Sequence, residues 1–473
     1  MPRDIIETVV KDSVGTFVTK IIVMFLTLFV GVILARSLGA AGKGQLAVVV
    51  LLPQILWVLG SLGLDMSNIY FAGREPETRS KLVANSVWLG LIFGTVSVVL
   101  ILAGYLFMRL IDPSIEKQLL GVPPYLFILM LLTVPPYLVA YFIDSIVYGM
   151  DKIHVRNIKE ILTNTFFLLV TLVLVTDPSA HWPLVDKPFG FGLNLGLYGA
   201  TITQLAMTTF MLIYAIWLVS RFVKWDLFRF DWGFFVKGLK HIGFYAYGAT
   251  AATFLFYKAS MLVIAYYIAH LSSITDVDLG LYTTASNISE KVWFIPGAIV
   301  YALLPKVTSF SSDEIKILTG KASRHTFLIT LIILAILSIF IRPILVFLYT
   351  DEFVSACYTF WALVPGVLVL SMGKVYGTHL LGIGKAYYAF WFSIVTLMVN
   401  IVLNIIFLPR YGIVGSAVAT SISYTLQTIM LYWAFKKEVG IPVYDLFFFR
   451  SSDWAVYQRG FKDILTYLKR KNG

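Results

Sequence analysis

Long uninterrupted apolar runs separated by short polar breaks dominate the chain. A helix needs about 20 predominantly apolar residues to cross ~30 Å of hydrocarbon. Twelve such runs can be read, at roughly 13–36, 44–71, 82–108, 123–148, 157–176, 195–219, 243–269, 280–304, 325–349, 358–382, 386–408 and 413–434. Membrane-spanning strands would instead be short and alternate with a period of two. The pattern predicts an all-α polytopic membrane protein with about twelve transmembrane helices.

The runs also repeat. SLGAAGKGQLAVVVLLPQILWVLGSLGL (37–64) resembles DVDLGLYTTASNISEKVWFIPGAIVYALLP (276–305). YGMDKIHVRNIKEI (148–161) resembles LLGIGKAYYAFWFSI (380–394), and NLGLYGATITQLAMTTF (194–210) resembles PRYGIVGSAVATSISYTL (409–426) most closely. Each pair sits at the same place in its half, so the chain reads as six helices plus six. An even number of spans per half gives both the same orientation and relates the lobes by an axis along the membrane normal. The expected division is an N-terminal lobe at 1–220, a cytoplasmic amphipathic linker at 221–242, a C-terminal lobe at 243–435 and a cytoplasmic tail at 436–473. In the linker, WDLFRFDWGFFVKGLKH alternates aromatics with basic residues, a composition suited to the headgroup region.

Composition agrees: 59% of the 473 residues are hydrophobic and 13% charged, where soluble chains carry about a quarter. The first apolar run is too long for a signal-peptide core, so it is read as a permanent span. The net charge of +11 is a matter of topology. With both termini cytoplasmic, 26 of the 37 Lys/Arg fall in cytoplasmic segments, 7 in external ones and 4 inside spans. That is the positive-inside pattern of a multi-pass cytoplasmic (inner) membrane protein, not a nucleic-acid surface. Cys357 is the only cysteine, which excludes an internal disulfide or a cysteine metal cluster.

Enzyme signatures are absent. LGIGK around Gly384 lacks the spacing of a phosphate loop, the six histidines are scattered, and no loop is long enough for a soluble catalytic domain. No metal or cofactor is implied. What remains is charge at membrane depth: Lys20, Lys258, Lys291 and Lys374. A lysine at a helix centre costs roughly 2.5–3.5 kcal/mol on insertion scales, so a lipid-facing position is disfavoured. At 100° per residue, Lys258 shares a face with Tyr247, Ala251, Ala265 and Ala269. Lys20 aligns with Ser13, Thr16, Thr27 and Gly31, and Lys291 with Thr284, Asn287, Ala298 and Ala302. These stripes suit the walls of a hydrated interior. Lys374 has only Ser371 and Thr378 beside it. Such a cluster would focus an anion into a low-dielectric cleft; the alternative is that the lysines snorkel or pair with carboxylates. The candidate acids are Glu290 at mid-span, with Asp65 and Asp144 near cytoplasmic ends. Glu290 either titrates, binds Na⁺ as a coupling site, or partners a lysine of another helix.

Several of these stretches resemble one family. GVILARSLGAAGKGQLAVVVLLPQILWVLGSLGL followed by NIYFAGR looks like the N-terminal region of polysaccharide-biosynthesis flippases of the Wzx type. GLYTTASNISEKVWFIPGAIVYALLPKVT is similar to their eighth helix, and YTDEFVSA, LLGIGKAYY and NIVLNIIFLPRYGIVGSAVATSISY to their C-terminal half. The family belongs to the multidrug/oligosaccharidyl-lipid/polysaccharide exporter (MOP) superfamily. The resemblance implies two six-helix lobes of MATE type around a central cavity, and alternating access. It also implies transport of polyprenyl-(pyro)phosphate-linked sugars from the inner to the outer leaflet, as in O-antigen assembly. Cavity Lys/Arg meet the lipid phosphates in such relatives, and Lys20, Lys258 and Lys291 stand on the corresponding helices. Lipid II flippases of the superfamily carry two further C-terminal helices, whereas the stretch after Lys436 has no apolar run of that length.

The expected partners are thus a polyprenyl-phosphate-linked glycan and membrane lipids. Na⁺ or H⁺ is the candidate coupling ion, and other polysaccharide-assembly proteins are candidate associates. Asn287, Tyr247, Tyr257 and Tyr301 are candidate sugar or cavity contacts. The competing readings are a cation-coupled drug antiporter of the same fold, which would want an acidic interior, and a non-transporting scaffold, which would leave mid-span cations unexplained.

Overall fold

A computed structural model describes residues 3–111, 122–179, 181–182, 185–188, 191–242, 244–294, 296–297 and 312–440. The helices of the first half are α1 (Arg3–Ser61), α2 (Leu64–Arg74), α3 (Arg79–Ile111), α4 (Pro124–Leu131), α5 (Val134–Gly149), α6 (Ile153–Leu174) and α7 (Gly196–Ser220). Then come α8 (Trp232–Ile242), α9 (Phe244–His270), α10 (Asp276–Lys291), α11 (Ser312–Ile344), α12 (Ala356–Gly382) and α13 (Ala386–Val439). A two-stranded antiparallel ribbon, His181–Trp182 with Val185–Pro188, lies in the loop after α6.

Nine described helical segments are long and apolar enough to cross a membrane. Two of them, of 47 and 54 residues, hold two crossings each, since about 20 residues suffice for one. The chain reverses inside them at Gly39 (φ 68°, ψ −176°) and Gly412 (φ 60°, ψ −154°). Those angles are open to glycine and strained for residues with a Cβ. With α10, which corresponds to the eighth apolar run, the helices account for all twelve runs. The break that the sequence places at 37–43 contains the Gly39 bend, and the flanking residues stay helical instead of forming an open loop.

Backbone geometry repeats between the halves. The turn Gly149-Met150-Asp151-Lys152 matches Gly382-Ile383-Gly384-Lys385, with Asp151 at φ 60° and Gly384 at φ 78°. Gly196, which opens α7, has φ 55°, and Gly412 at the equivalent place has φ 60°.

Helices of the first half bury Phe71, Val139, Ile143, Ala215 and Val219 among themselves, and a neighbouring cluster adds Leu89, Leu138 and Phe142. The second half has a larger core that includes Phe256, Leu279, Phe360, Val367 and Tyr424. Four residues of α1 (Val32, Ala35, Ala40 and Val48) belong to that second core. Hydrophobic burial discriminates little between helices in lipid, where close packing and hydrogen bonds do the joining. A buried network supplies such bonds: Asn404 Nδ2 donates to Ser260 Oγ at 3.0 Å, Ser416 Oγ to Asn404 Oδ1 at 2.5 Å, and Tyr282 and Thr420 hydroxyls meet at 2.9 Å.

The linker is docked on the first half. Asn85 brackets Asp231, donating to its carbonyl and accepting its N–H, both at 2.9 Å. Trp88 Nε1 donates to the Leu227 carbonyl at 2.9 Å, and Phe235 is buried. The Asp231 carboxylate accepts the Phe234 N–H at the start of α8 and pairs with Lys81 at 3.0 Å. Those contacts, the N–H first, hold it below the usual carboxylate range.

Candidate functional site

α10 is the centre of the site. It opens with a capping box in which Thr275 and Asp278 satisfy each other's backbone N–H groups, and it packs against α1, α9, α12 and α13. Within α10 only Asn287 is exposed. One turn along, Lys291 reaches across to the first half, its Nζ 3.3 Å from Thr27 Oγ1. The stripes projected for Lys20 and Lys291 therefore meet at Thr27. Asn287 and Lys291 stand four residues apart on one face of α10, the face that Lys291 directs at Thr27 of α1.

Glu290 is turned toward its own half. Its Oε1 accepts hydrogen bonds from Ser286 Oγ at 2.8 Å and Tyr424 Oη at 3.1 Å. Among the described residues no lysine stands within ion-pairing distance of it, so the alternative of a lysine partner is not the arrangement seen.

Tyr424 belongs to an aromatic box with Tyr257 and Trp293, whose ring centroids lie 5.5–5.9 Å apart. Lys374 closes the box. Its Nζ sits 4.2 Å from the Trp293 ring centroid and 4.9 Å from that of Tyr257, and donates to Tyr257 Oη at 3.2 Å. Trp293 is held in turn by its Nε1, which donates to the Val367 carbonyl at 3.1 Å. Lys258, next to Tyr257 on α9, is half-buried and has no carboxylate within ion-pairing distance among the described residues. Lys258, Lys291 and Lys374 thus share this half with the mid-span acid Glu290, and hydroxyls satisfy that acid.

The first half is arranged differently. Lys20 forms an ion pair with Glu160 at 2.5 Å, beside a hydrogen bond from Asn157 to Thr16. Lys159 pairs with Asp144, and Asp65 accepts from Tyr141 Oη at 2.9 Å. Tyr247 lies where the halves meet at the Lys/Arg-rich end, donating to the Leu59 carbonyl at 2.8 Å. Tyr301 lies outside the described residues.

Sequence reasoning overlooked Glu160, Lys159, Trp293, Tyr424 and Lys43. Glu160 shares a helical face with Asn157 and Asn164 inside an apolar run, a visible polar stripe. The box residues carried no such signal, because aromatics recur throughout the chain.

At the Lys/Arg-poor end the halves are sealed together. Arg36 donates to the carbonyls of Leu348 and Phe347 at 2.8 and 2.7 Å, and the Ala40 N–H to Glu352 at 3.0 Å. Gln45 bonds Asp276 at 3.1 Å. The backbones approach so closely that a Cβ on Gly44 would stand 1.9 Å from the Asp276 carbonyl oxygen.

Twelve spans in two backbone-matched halves, joined at one end, define a polytopic all-α membrane protein. Comparisons with known proteins place it further. No family model matches the chain. It is 23% identical over 161 residues to the probable low-salt glycan biosynthesis flippase Agl15 of Haloferax volcanii, covering 33% of this chain and 34% of that protein. It is 25% identical over 163 residues to the capsular polysaccharide biosynthesis protein CapF of Staphylococcus aureus, covering 34% and 41%. The chain thus matches well under half the length of these curated relatives. Among solved structures, the lipid II flippase MurJ in an inward closed conformation superposes with a TM-score of 0.64 at 17% identity, over 92% of this chain and 89% of that one. An inward-facing multidrug resistance MATE family transporter of the MOP superfamily does so with a TM-score of 0.64 at 13% identity, over 90% and 98%. The chain is a multi-pass all-α membrane protein of MurJ/MATE fold, distantly related over about a third of its length to glycan-biosynthesis flippases.

Proposed function

We propose that this protein is a flippase carrying a polyprenyl-(pyro)phosphate-linked oligosaccharide from the inner to the outer leaflet, with its Lys/Arg-rich end and both termini in the cytoplasm. The observation that carries the reading is that Lys258, Lys291 and Lys374, on α9, α10 and α12, are unpaired with any acid among the described residues. Buried cations are paired, or they await an anion. A substrate with a phosphate head, a polar glycan and a long hydrocarbon tail fits: head and glycan enter the cleft while the tail stays in lipid. Asn287 and the Tyr257 edge of the box supply hydrogen bonds and an apolar face for sugar. The lobes, 1–220 and 243–435, alternate between opening at the basic end and at the sealed end. Glu290, held by two hydroxyls, is the candidate coupling acid for Na⁺ or H⁺.

Purified protein in vesicles tests this directly. Wild type should move a fluorescent prenyl diphosphate glycan between leaflets, and Lys258→Ala and Lys291→Ala should lose at least ten-fold of that rate while remaining folded and inserted. Transport of cationic drugs, with no response to prenyl diphosphate, would instead establish an antiporter of the same fold.

A further inference from the structure

Lys43 stands four residues beyond the Gly39 bend, inside the seal, and is only 9% exposed. Its Nζ lies 4.5 Å from the ring centroid of Tyr349 and 5.3 Å from that of Phe353. No carboxylate among the described residues comes within ion-pairing distance of it. Two acids of the seal are engaged elsewhere, Glu352 with the Ala40 N–H and Asp276 with Gln45. The rings are thus the ammonium's chief compensation, and cation–π attraction strengthens where water is excluded. That compensation spans the two halves. Lys43 is fixed to α1, whereas Tyr349 and Phe353 follow α11. Every contact of the seal, including those of Arg36, Ala40 and Gln45, crosses the same boundary, so opening this end parts the cation from its rings.

We propose that Lys43 is an exit-side phosphate contact: capped by Tyr349 and Phe353 while the end is shut, and presented to the phosphate of the lipid-linked substrate once it opens. The inference rests on the flippase reading above. It divides the cycle between two sets of cations, with Lys258, Lys291 and Lys374 receiving the phosphate at mid-depth and Lys43 meeting it on the way out.

The test compares the ammonium with its cap, using full-length protein in vesicles and a fluorescent short-chain prenyl diphosphate as probe. Lys43→Met should bind the probe like wild type but turn it over at least ten-fold more slowly, with Lys43→Arg keeping most of the rate. The double variant Tyr349→Leu/Phe353→Leu should turn over as fast as wild type or faster, because its ammonium is uncapped. If Lys43 is only a pin for the seal, the ring variant and Lys43→Met will behave alike, and the proposal is overturned. Wild-type turnover in Lys43→Met overturns it equally. Should wild type neither bind nor move the probe, the flippase reading itself fails and takes this role with it, a result distinct from a normal wild type beside a normal Lys43→Met.

Discussion

The two halves share a backbone plan and differ in how they treat charge. In the first, charged groups at membrane depth are matched within the half: Lys20 with Glu160, Lys159 with Asp144, and Asp65 with a tyrosine hydroxyl. In the second, Lys374 rests on aromatic rings, Lys291 on a threonine of the other half, and Glu290 on two hydroxyls. A paired half needs no ligand to be electrically complete. A half with surplus cations does. On the proposed reading, anion binding falls mainly to the second half's helices, while the acids of the first half that lie at membrane depth already have partners.

The largest effect expected is on transport. Lys291→Ala should cut flipping at least ten-fold in a vesicle assay, and Lys291→Arg should retain more of it. Lys20→Ala, by contrast, should act mainly through stability. Next in size is the pair itself: Glu160→Gln leaves Lys20 uncompensated. Breaking a fully buried pair costs 3–5 kcal/mol, and the quarter exposure of these side chains reduces this to about 1–2 kcal/mol. The loss would show as a lower midpoint in thermal unfolding, and Lys20→Met/Glu160→Gln should recover part of it. Full stability in Glu160→Gln alone would break the contrast between the halves.

Backbone equivalence predicts equal penalties where charge plays no part. Gly196→Ala and Gly412→Ala should each cost about 1–2 kcal/mol by placing a Cβ in the left-handed region, whereas Gly384→Asn should be nearly neutral, since Asp151 occupies the matching turn. The smallest effect concerns the linker. Asp231 titrates below its unfolded value of about 3.9, so its contribution to docking is complete above that pH and is lost as the pH falls through the folded value. Hydrogen exchange at 227–237 should rise in that acid range while the spans stay protected.

Much of this was written locally in the chain. The twelve runs, the matched loops and the faces bearing Lys20 and Lys291 follow from periodicity, which needs no knowledge of neighbours. Pairing was not legible, because Glu160 reaches Lys20 across 140 positions of sequence and only the packing of α1 on α6 brings them together. Lys43 was read as a residue of an external loop. Its burial depends on Gly44 and Gly280 letting two backbones almost touch, a three-dimensional fact with no one-dimensional trace. The bend at Gly39, by contrast, falls inside the break at 37–43 that separates the first two apolar runs.

The docked linker has a mechanical consequence. A peptide of some twenty residues between two moving bodies would ordinarily be a slack leash. Here Asn85, Trp88 and Lys81 fasten it to α3, so it travels as part of the first half. The segment that contains Leu227, Asp231 and Phe234 is therefore mechanically part of the first half, which leaves far less than twenty residues of chain free to absorb a displacement between the halves.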